Sequence, residues 1–385
     1  MNFKKITAIT LITVLTVLLL GACGKEVHSD GTDAHGRPPD NEKTSSTAAS
    51  SYEAAGESAE SSAAEHFPEI ETGENDKVYT SAGTMYVRRD VEISDEGISP
   101  TDDTDYIIRV NLAHETTTVY RLENGGEVPV KAFACSTARG AHETPEGEYY
   151  LDEWYDWCYM VDTTYGQYAY RLIRGSDTDY MFHSVPYLEQ SRDSLEWADY
   201  NKLGSPASMG CVRLNVADAR WLCANVGSGV DVIIYSDDST PGPLGKPDTF
   251  FIPWTIPEIN GWDPTDPVSH NPWHEYNFTL TTAASLEVSA GSEPLDLREH
   301  VEAVDIFEND LSRYITFDCG GKKYGFYYTT KDPEDSPDYP DTTQDELIEY
   351  HYNGMDISKS GSYNVRISLS AGPLSAYRNM TVIVK

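Results

Sequence analysis

The sequence predicts a mainly β protein with two β-rich modules, reached through a long unstructured segment. Three observations predict it. Residues 104–236 and 278–385 carry short alternating runs such as Ile108-Val110-Leu112 and Tyr363-Val365-Ile367, the period of a half-buried strand. Turn residues punctuate those runs, Asn124-Gly125-Gly126 most plainly. Within the first module the best helix is Val216 to Asn225, which opens just after Asn215, a good N-cap.

The elements follow in order. Lys4 and Lys5 precede an apolar run from Ile6 to Leu20, closed by Gly21-Ala22-Cys23. A run this short, ending in small residues, reads as a secretory signal over residues 1–23 and not as a spanning helix. Residues 24–76 hold Ser45-Ser46-Thr47-Ala48-Ala49-Ser50-Ser51 and similar stretches with almost no apolar periodicity. Such a segment cannot bury enough surface to offset its ordering entropy. As a flexible chain it spans roughly 40 Å r.m.s.. Residues 77–103 form a short lead-in, with hairpin-like alternation from Lys77 to Ile93. Residues 237–277 are rich in Pro, Gly and Trp, as in Pro241-Gly242-Pro243 and Trp262-Asp263-Pro264, and read as a stiff connector expected to pack on the first module rather than float. Residues 278–385 carry short strands separated by turn residues, the pattern of a β-sandwich.

Composition narrows the partners. The 385 residues allow two to three domains. Lys+Arg 28 against Asp+Glu 63 gives a formal net charge of −35, which argues against nucleic acid and against direct adsorption to anionic lipid. Tyr 26 and Trp 7 suit sugar or peptide contacts, and equally suit β-sandwich cores.

The chemistry concentrates in Ser208-Met209-Gly210-Cys211-Val212-Arg213-Leu214-Asn215, with Met181-Phe182-His183-Ser184 upstream. A cysteine thiolate is a strong nucleophile once a base draws off its proton, and histidine is the usual base. Glycine before the cysteine allows a tight turn that brings N–H groups toward an oxyanion. Gly210 and the Cys211 amide are the expected donors. A cysteine just upstream of a helix also gains some thiolate stabilisation from the dipole. Ser208 is expected to hydrogen-bond the loop or the substrate. Arg213 has two readings, a bidentate clamp on a substrate carboxylate or an internal salt bridge that fixes the loop. Cys135, Cys158, Cys223 and Cys319 show no metal spacing, and neither do the histidines, so no metal and no cofactor is expected. Export permits disulfides, with Cys135–Cys158 one option that spacing does not decide. Cys319, in a separate module, is expected to stay free.

This His…Ser-x-Gly-Cys-x-Arg arrangement resembles the L,D-transpeptidase (YkuD-type) catalytic domain. The resemblance extends over roughly 104–236. Ile107 to Leu112 with Thr117 to Tyr120 is similar to the family's opening hairpin. Cys135-Ser136-Thr137-Ala138 and Glu143-Thr144-Pro145-Glu146-Gly147-Glu148-Tyr149 are similar to its Ser-Thr-Gly and Thr-Pro stretches. Asp218 to Trp221 and Gly229 to Tyr235 are similar to its closing helix and strand. The resemblance implies Cys211 as nucleophile and His183 as base, oriented by the backbone carbonyl of Ser184. It implies peptidoglycan stem peptides as substrate, with Ser208, Met209 and Arg213 lining the substrate site. The acceptor can be a stem-peptide amine or water, and a non-catalytic wall-binding protein is the rival reading.

Two departures stand out. Met209 occupies a place where the family usually has His. The 28 positions from His183 to Cys211 (211 − 183) exceed the usual gap. The extra segment, about Tyr187 to Ala207, has a helical stretch near Ser194–Tyr200. Its Tyr187, Leu195, Trp197, Tyr200 and Leu203 are expected partly to pack on the domain and partly to wall the groove as a lid. Leu20-Gly21-Ala22-Cys23 resembles a bacterial lipobox, which implies a lipid anchor on Cys23 at the outer face of the cytoplasmic membrane. Leu295-Asp296-Leu297, Val304-Asp305 and Gly361 to Val365 resemble Ig-like domains of bacterial surface proteins.

Overall fold

The computed structural model describes residues 70–99, 101–175, 177–330 and 348–385. The expected signal sequence, Cys23 and most of the expected 24–76 linker lie outside them. The chain opens with a hairpin, β1 (Lys77–Ser81) and β2 (Thr84–Arg88). Then come β3 (Tyr106–Asn111), β4 (Thr116–Glu123) and β5 (Gly126–Ala134). Asn124 and Gly125 hold φ of 50° and 80°, the left-handed pair that a two-residue hairpin turn needs. Next are β6 (Gly147–Tyr159), β7 (Tyr165–Arg174) and β8 (Asp177–Ser184). One helical turn, α1 (Trp197–Tyr200), lies in the predicted insert. β9 (Val212–Leu214), α2 (Val216–Asn225) and β10 (Asp231–Tyr235) complete the first region. The side chain of Asn215 caps α2 by accepting from Asp218 N at 2.8 Å, as its sequence position foretold.

These strands make one eight-stranded sheet in the order β5-β4-β3-β10-β6-β7-β8-β9. Two pairs, β3 with β10 and β8 with β9, are parallel. The second pair matters most: a parallel neighbour needs a crossover, and the insert supplies it.

The rest of the chain holds β11 (Phe278–Thr282), β12 (Ser285–Val288), β13 (Val301–Asp305) and β14 (Thr316–Cys319). It ends with β15 (Lys322–Thr330), β16 (Ile348–Asn353), β17 (Gly361–Ala371) and β18 (Leu374–Val384). On β17 the buried residues Val365, Ile367, Leu369 and Ala371 alternate with half-buried ones, as one covered face requires. The sheet runs β1-β2-β18-β17-β14-β15-β16, with β12 parallel to β18, while β11 and β13 form a separate pair. That pair packs on the larger sheet, where Leu280 N donates to Tyr86 Oη at 3.1 Å.

One expectation on organisation is corrected. The 77–88 hairpin is not a lead-in to the first region, because Met85 to Arg88 pair antiparallel with Leu374 to Tyr377 of the last strand. The boundary at residue 278 therefore does not separate the sheets. The 237–277 connector packs on the first region as expected, and on the second region as well. Ile252, Ile256, Ile259, Trp273 and Tyr276 are fully buried and join one hydrophobic core with residues of both regions. Its irregular backbone is tied in at both ends: Gly372 N donates to Phe251 O at 2.7 Å, and Leu195 N donates to Gly261 O at 2.8 Å.

Candidate active site

The parallel pairing of β8 with β9 sets Phe182, His183 and Ser184 opposite Val212, Arg213 and Leu214. Cys211 immediately precedes β9, so it stands at the end of the strand that neighbours the His183 strand. The Met181 N–H donates to the thiol sulfur. His183 is buried and its Nδ1 lies 2.6 Å from Ser184 O. A carbonyl oxygen can only accept, so Nδ1 carries the proton and the Nε2 lone pair is left free to accept one. Ser184 is fixed in turn, with Gln167 N donating to its Oγ at 2.9 Å.

A hanger holds the turn that carries Cys211. Ala207 N and Ser208 N both donate to Thr137 O at 2.9 Å. Thr137 is itself gripped by buried Glu115, whose oxygens accept from Thr137 N and Oγ1 at 2.6 and 2.7 Å. Ser208 Oγ donates to Cys211 O at 2.6 Å and accepts from Gly210 N at 3.0 Å. Thr144 Oγ1 donates to Gly210 O at 2.7 Å and accepts from Ala138 N at 3.0 Å. Gly210 has φ +143, and a Cβ there would sit 2.7 Å from Tyr180 Cε1, so the turn admits only glycine.

Some roles assigned from sequence are revised by this geometry. The Gly210 N–H is spent on Ser208 and is not free as an oxyanion donor. Ser208 serves the loop. Arg213 does not reach toward a substrate carboxylate: its Nη1 donates to Asp199 Oδ2 at 2.6 Å and to Ala207 O at 3.0 Å, and the side chain is buried. The internal salt bridge, one of its two readings, is the one observed. Met209 is exposed at the turn. The lid expectation is overturned, because Tyr187, Leu195, Trp197, Tyr200 and Leu203 are all buried. Trp197 stacks on Trp254 of the connector at 5.9 Å between ring centroids. Cys135, Cys158, Cys211 and Cys223 are free thiols. Among the described residues no three His, Cys, Asp or Glu side chains are grouped to hold a metal ion.

Residues beyond the sequence motif also shape the site. Gly166 on β7 faces His183, and a Cβ there would lie 2.9 Å from Nδ1. A glycine inside a strand is the sequence signal for such an approach. Asp199 and the Met181 amide carried no local signal, since their roles arise from tertiary contact.

The electrostatics favour an uncharged pair. Burial and the nearby Arg213 charge lower the His183 pKa to about 4. Burial raises that of Cys211, opposed by the Met181 N–H and by Arg213. A neutral thiol beside a neutral imidazole, with a donor and a cation ready for the thiolate, is arranged for proton transfer during attack. The dipole benefit expected at the thiol does not prevail, because desolvation of the charged form outweighs it.

Residues 105–234 match the family model of the L,D-transpeptidase catalytic domain, YkuD. This segment is similar to an L,D-transpeptidase catalytic domain. The chain is also 32% identical over 92 residues to a putative L,D-transpeptidase, YciB, of Bacillus subtilis, covering 24% of this chain and 46% of that protein. The chain thus spans about half the length of the curated relative it matches. Among solved structures, an L,D-transpeptidase from Mycobacterium smegmatis aligns at 15% identity over 41% of this chain and 69% of that one, with a TM-score of 0.28. A fused Zn-dependent amidase/peptidase/peptidoglycan-binding domain-containing protein from Clostridium acetobutylicum aligns at 17% identity over 36% and 54%, with a TM-score of 0.27. The sequence match, and not these superpositions, carries the assignment of the L,D-transpeptidase domain.

Proposed function

We propose that the protein is a peptidoglycan L,D-transpeptidase working through a cysteine thioester. The observation that carries the reading is the His183 ring, locked by Ser184 O with Nε2 free, beside Cys211 on the neighbouring strand. His183 Nε2 takes the thiol proton as sulfur attacks the carbonyl between an L- and a D-centre of a stem tetrapeptide. The Cys211 N–H, which has no acceptor among the described residues, receives the oxyanion. The C–N bond then breaks, His183 returns its proton to the leaving D-residue amine, and a thioester remains. A side-chain amine of a neighbouring stem attacks next and loses a proton to His183. The C–S bond breaks and the thiol is restored with a cross-link formed. Water in place of the amine gives an L,D-carboxypeptidase.

The proposal extends to location. The Lys4 to Cys23 sequence supports export and a lipid anchor on Cys23, with the 24–76 segment reaching from membrane to wall. The test is mass spectrometry of muropeptides incubated with the purified protein. Cross-linked dimers support transpeptidation, tripeptides alone support the hydrolytic variant, and an unchanged profile overturns both.

A further inference from the structure

Arg213 joins the nucleophile loop to the inserted segment. Its backbone is held on two sides, opposite His183 in the β8–β9 register and through reciprocal hydrogen bonds with Ser136 at 2.8 and 3.0 Å. Its guanidinium holds Ala207 O, the start of the turn that Thr137 and Ser208 fasten. The same Nη1 binds Asp199, and the two side chains are only 6% and 13% exposed, so solvent screens the pair little. Asp199 lies on α1, the one helical turn of the insert. That turn does not move freely: Asn201 exchanges hydrogen bonds of 2.9 and 2.8 Å with the Ile252 backbone, and Trp197 stacks on Trp254. One carboxylate of the insert therefore sets both where the guanidinium sits and how much of its charge is left over.

We propose that Asp199 is a positioning residue for the Cys211–His183 pair, acting through Arg213 to hold the nucleophile loop and to limit the positive charge at the thiol. The proposal rests on the reading of those two residues as the reacting pair. Arg213 favours both the thiolate and the neutral imidazole. Left without its counter-charge, it would over-stabilise the thiolate. A thiolate whose pKa is too low is also a weaker nucleophile. Other groups enter the balance. Asp162 of the β6–β7 turn and Cys158 of β6 face Cys211 and oppose its ionisation. Lys202 and Arg139 face Asp199 from the insert and from the 135–139 strip. Glu196, its pKa raised to about 7 by burial and by Asp199, lies one turn before Asp199 on the same segment.

The test is the rate of Cys211 alkylation by iodoacetamide against pH on the full chain, read at the Cys211 peptide by mass spectrometry. Asp199→Asn should lower the apparent thiol pKa by about one unit. Asp199→Glu should restore the original profile. Loss of Asp199 leaves a buried unpaired cation that weakens the fold, so a second variant removes both charges with apolar groups of similar size. Asp199→Leu with Arg213→Met should shift the thiol pKa upward. Opposite shifts in the two variants support the proposal, since a merely structural role moves the melting temperature and not the sign. Unchanged profiles, or shifts of one sign in both, overturn it. Alkylation uses no wall substrate, so failure here is distinct from failure to cross-link stem peptides.

Discussion

Gly166 lies so close to His183 that a methyl group on its Cα would sit 2.9 Å from Nδ1 and 3.0 Å from Cβ of the imidazole. The same Nδ1 is held by Ser184 O. Gly166→Ala should therefore displace the ring while leaving the β6–β7 pairing in place. A displacement on the order of 1 Å costs about 10²-fold in rate. Steady-state kinetics beside a melting curve checks this. A variant with unchanged turnover would show that the ring position is not critical.

His183→Gln should slow acylation by about 10² to 10⁴. It should also change the pH dependence of stability. The wild-type imidazole has a folded pKa of about 4 against an ordinary value of 6.5. Between those values the unfolded chain binds a proton that the folded chain does not. The contribution is complete above pH 6.5 and is lost as pH falls toward 4. Melting temperatures from pH 7 to 4 should thus fall less steeply in His183→Gln than in the wild type. Parallel curves would mean that the histidine is not buried in its neutral form.

Removing residues 278–385 should destabilise the remainder. An independent module would have left an active fragment. Here β18 pairs with β2, and the turn at Gly372 packs against Trp273, with a Cβ there meeting the indole at 2.5 Å. Thermal unfolding of a 70–277 fragment should start well below that of the full chain. An equal midpoint would restore the independent-module reading.

Trp197→Ala should lower stability by about 3–5 kcal/mol, the cost of deleting a buried large aromatic. Because Trp197 packs against Trp254 and not over the thiol, turnover of stem peptides and alkylation of Cys211 should fall together. Loss of turnover alone, with the melting curve preserved, would return the side chain to a lid.

Much of this was legible in the sequence where one periodicity or one local signal decides. Asn215 and the run to Asn225 define α2, and Asn124-Gly125 defines the β4–β5 turn. The Ser208 to Asn215 stretch stood out because its residues are contiguous. The connector did not, since Ile252, Trp254 and Trp273 are buried from irregular backbone, where no period of two or 3.6 marks a covered face. The aromatic residues of the insert signalled burial but not against what. Trp197 stacks on Trp254 of that same connector, while Tyr187 meets Trp157 of β6. Asp199 shows the same limit: its charge is visible in the sequence, and its ion pair with Arg213 exists only once β8 and β9 lie side by side.

The proposed thioester places the acyl group on the Cys211 sulfur. Intact-mass spectrometry of the protein mixed with a stem tetrapeptide tests it most directly. The wild type should gain the mass of the tripeptide acyl group, in an adduct that hydroxylamine removes and that maps to Cys211, and Cys211→Ala should gain none while melting close to the wild type. Cross-linked product formed by Cys211→Ala, or an adduct on any other residue, would contradict the account.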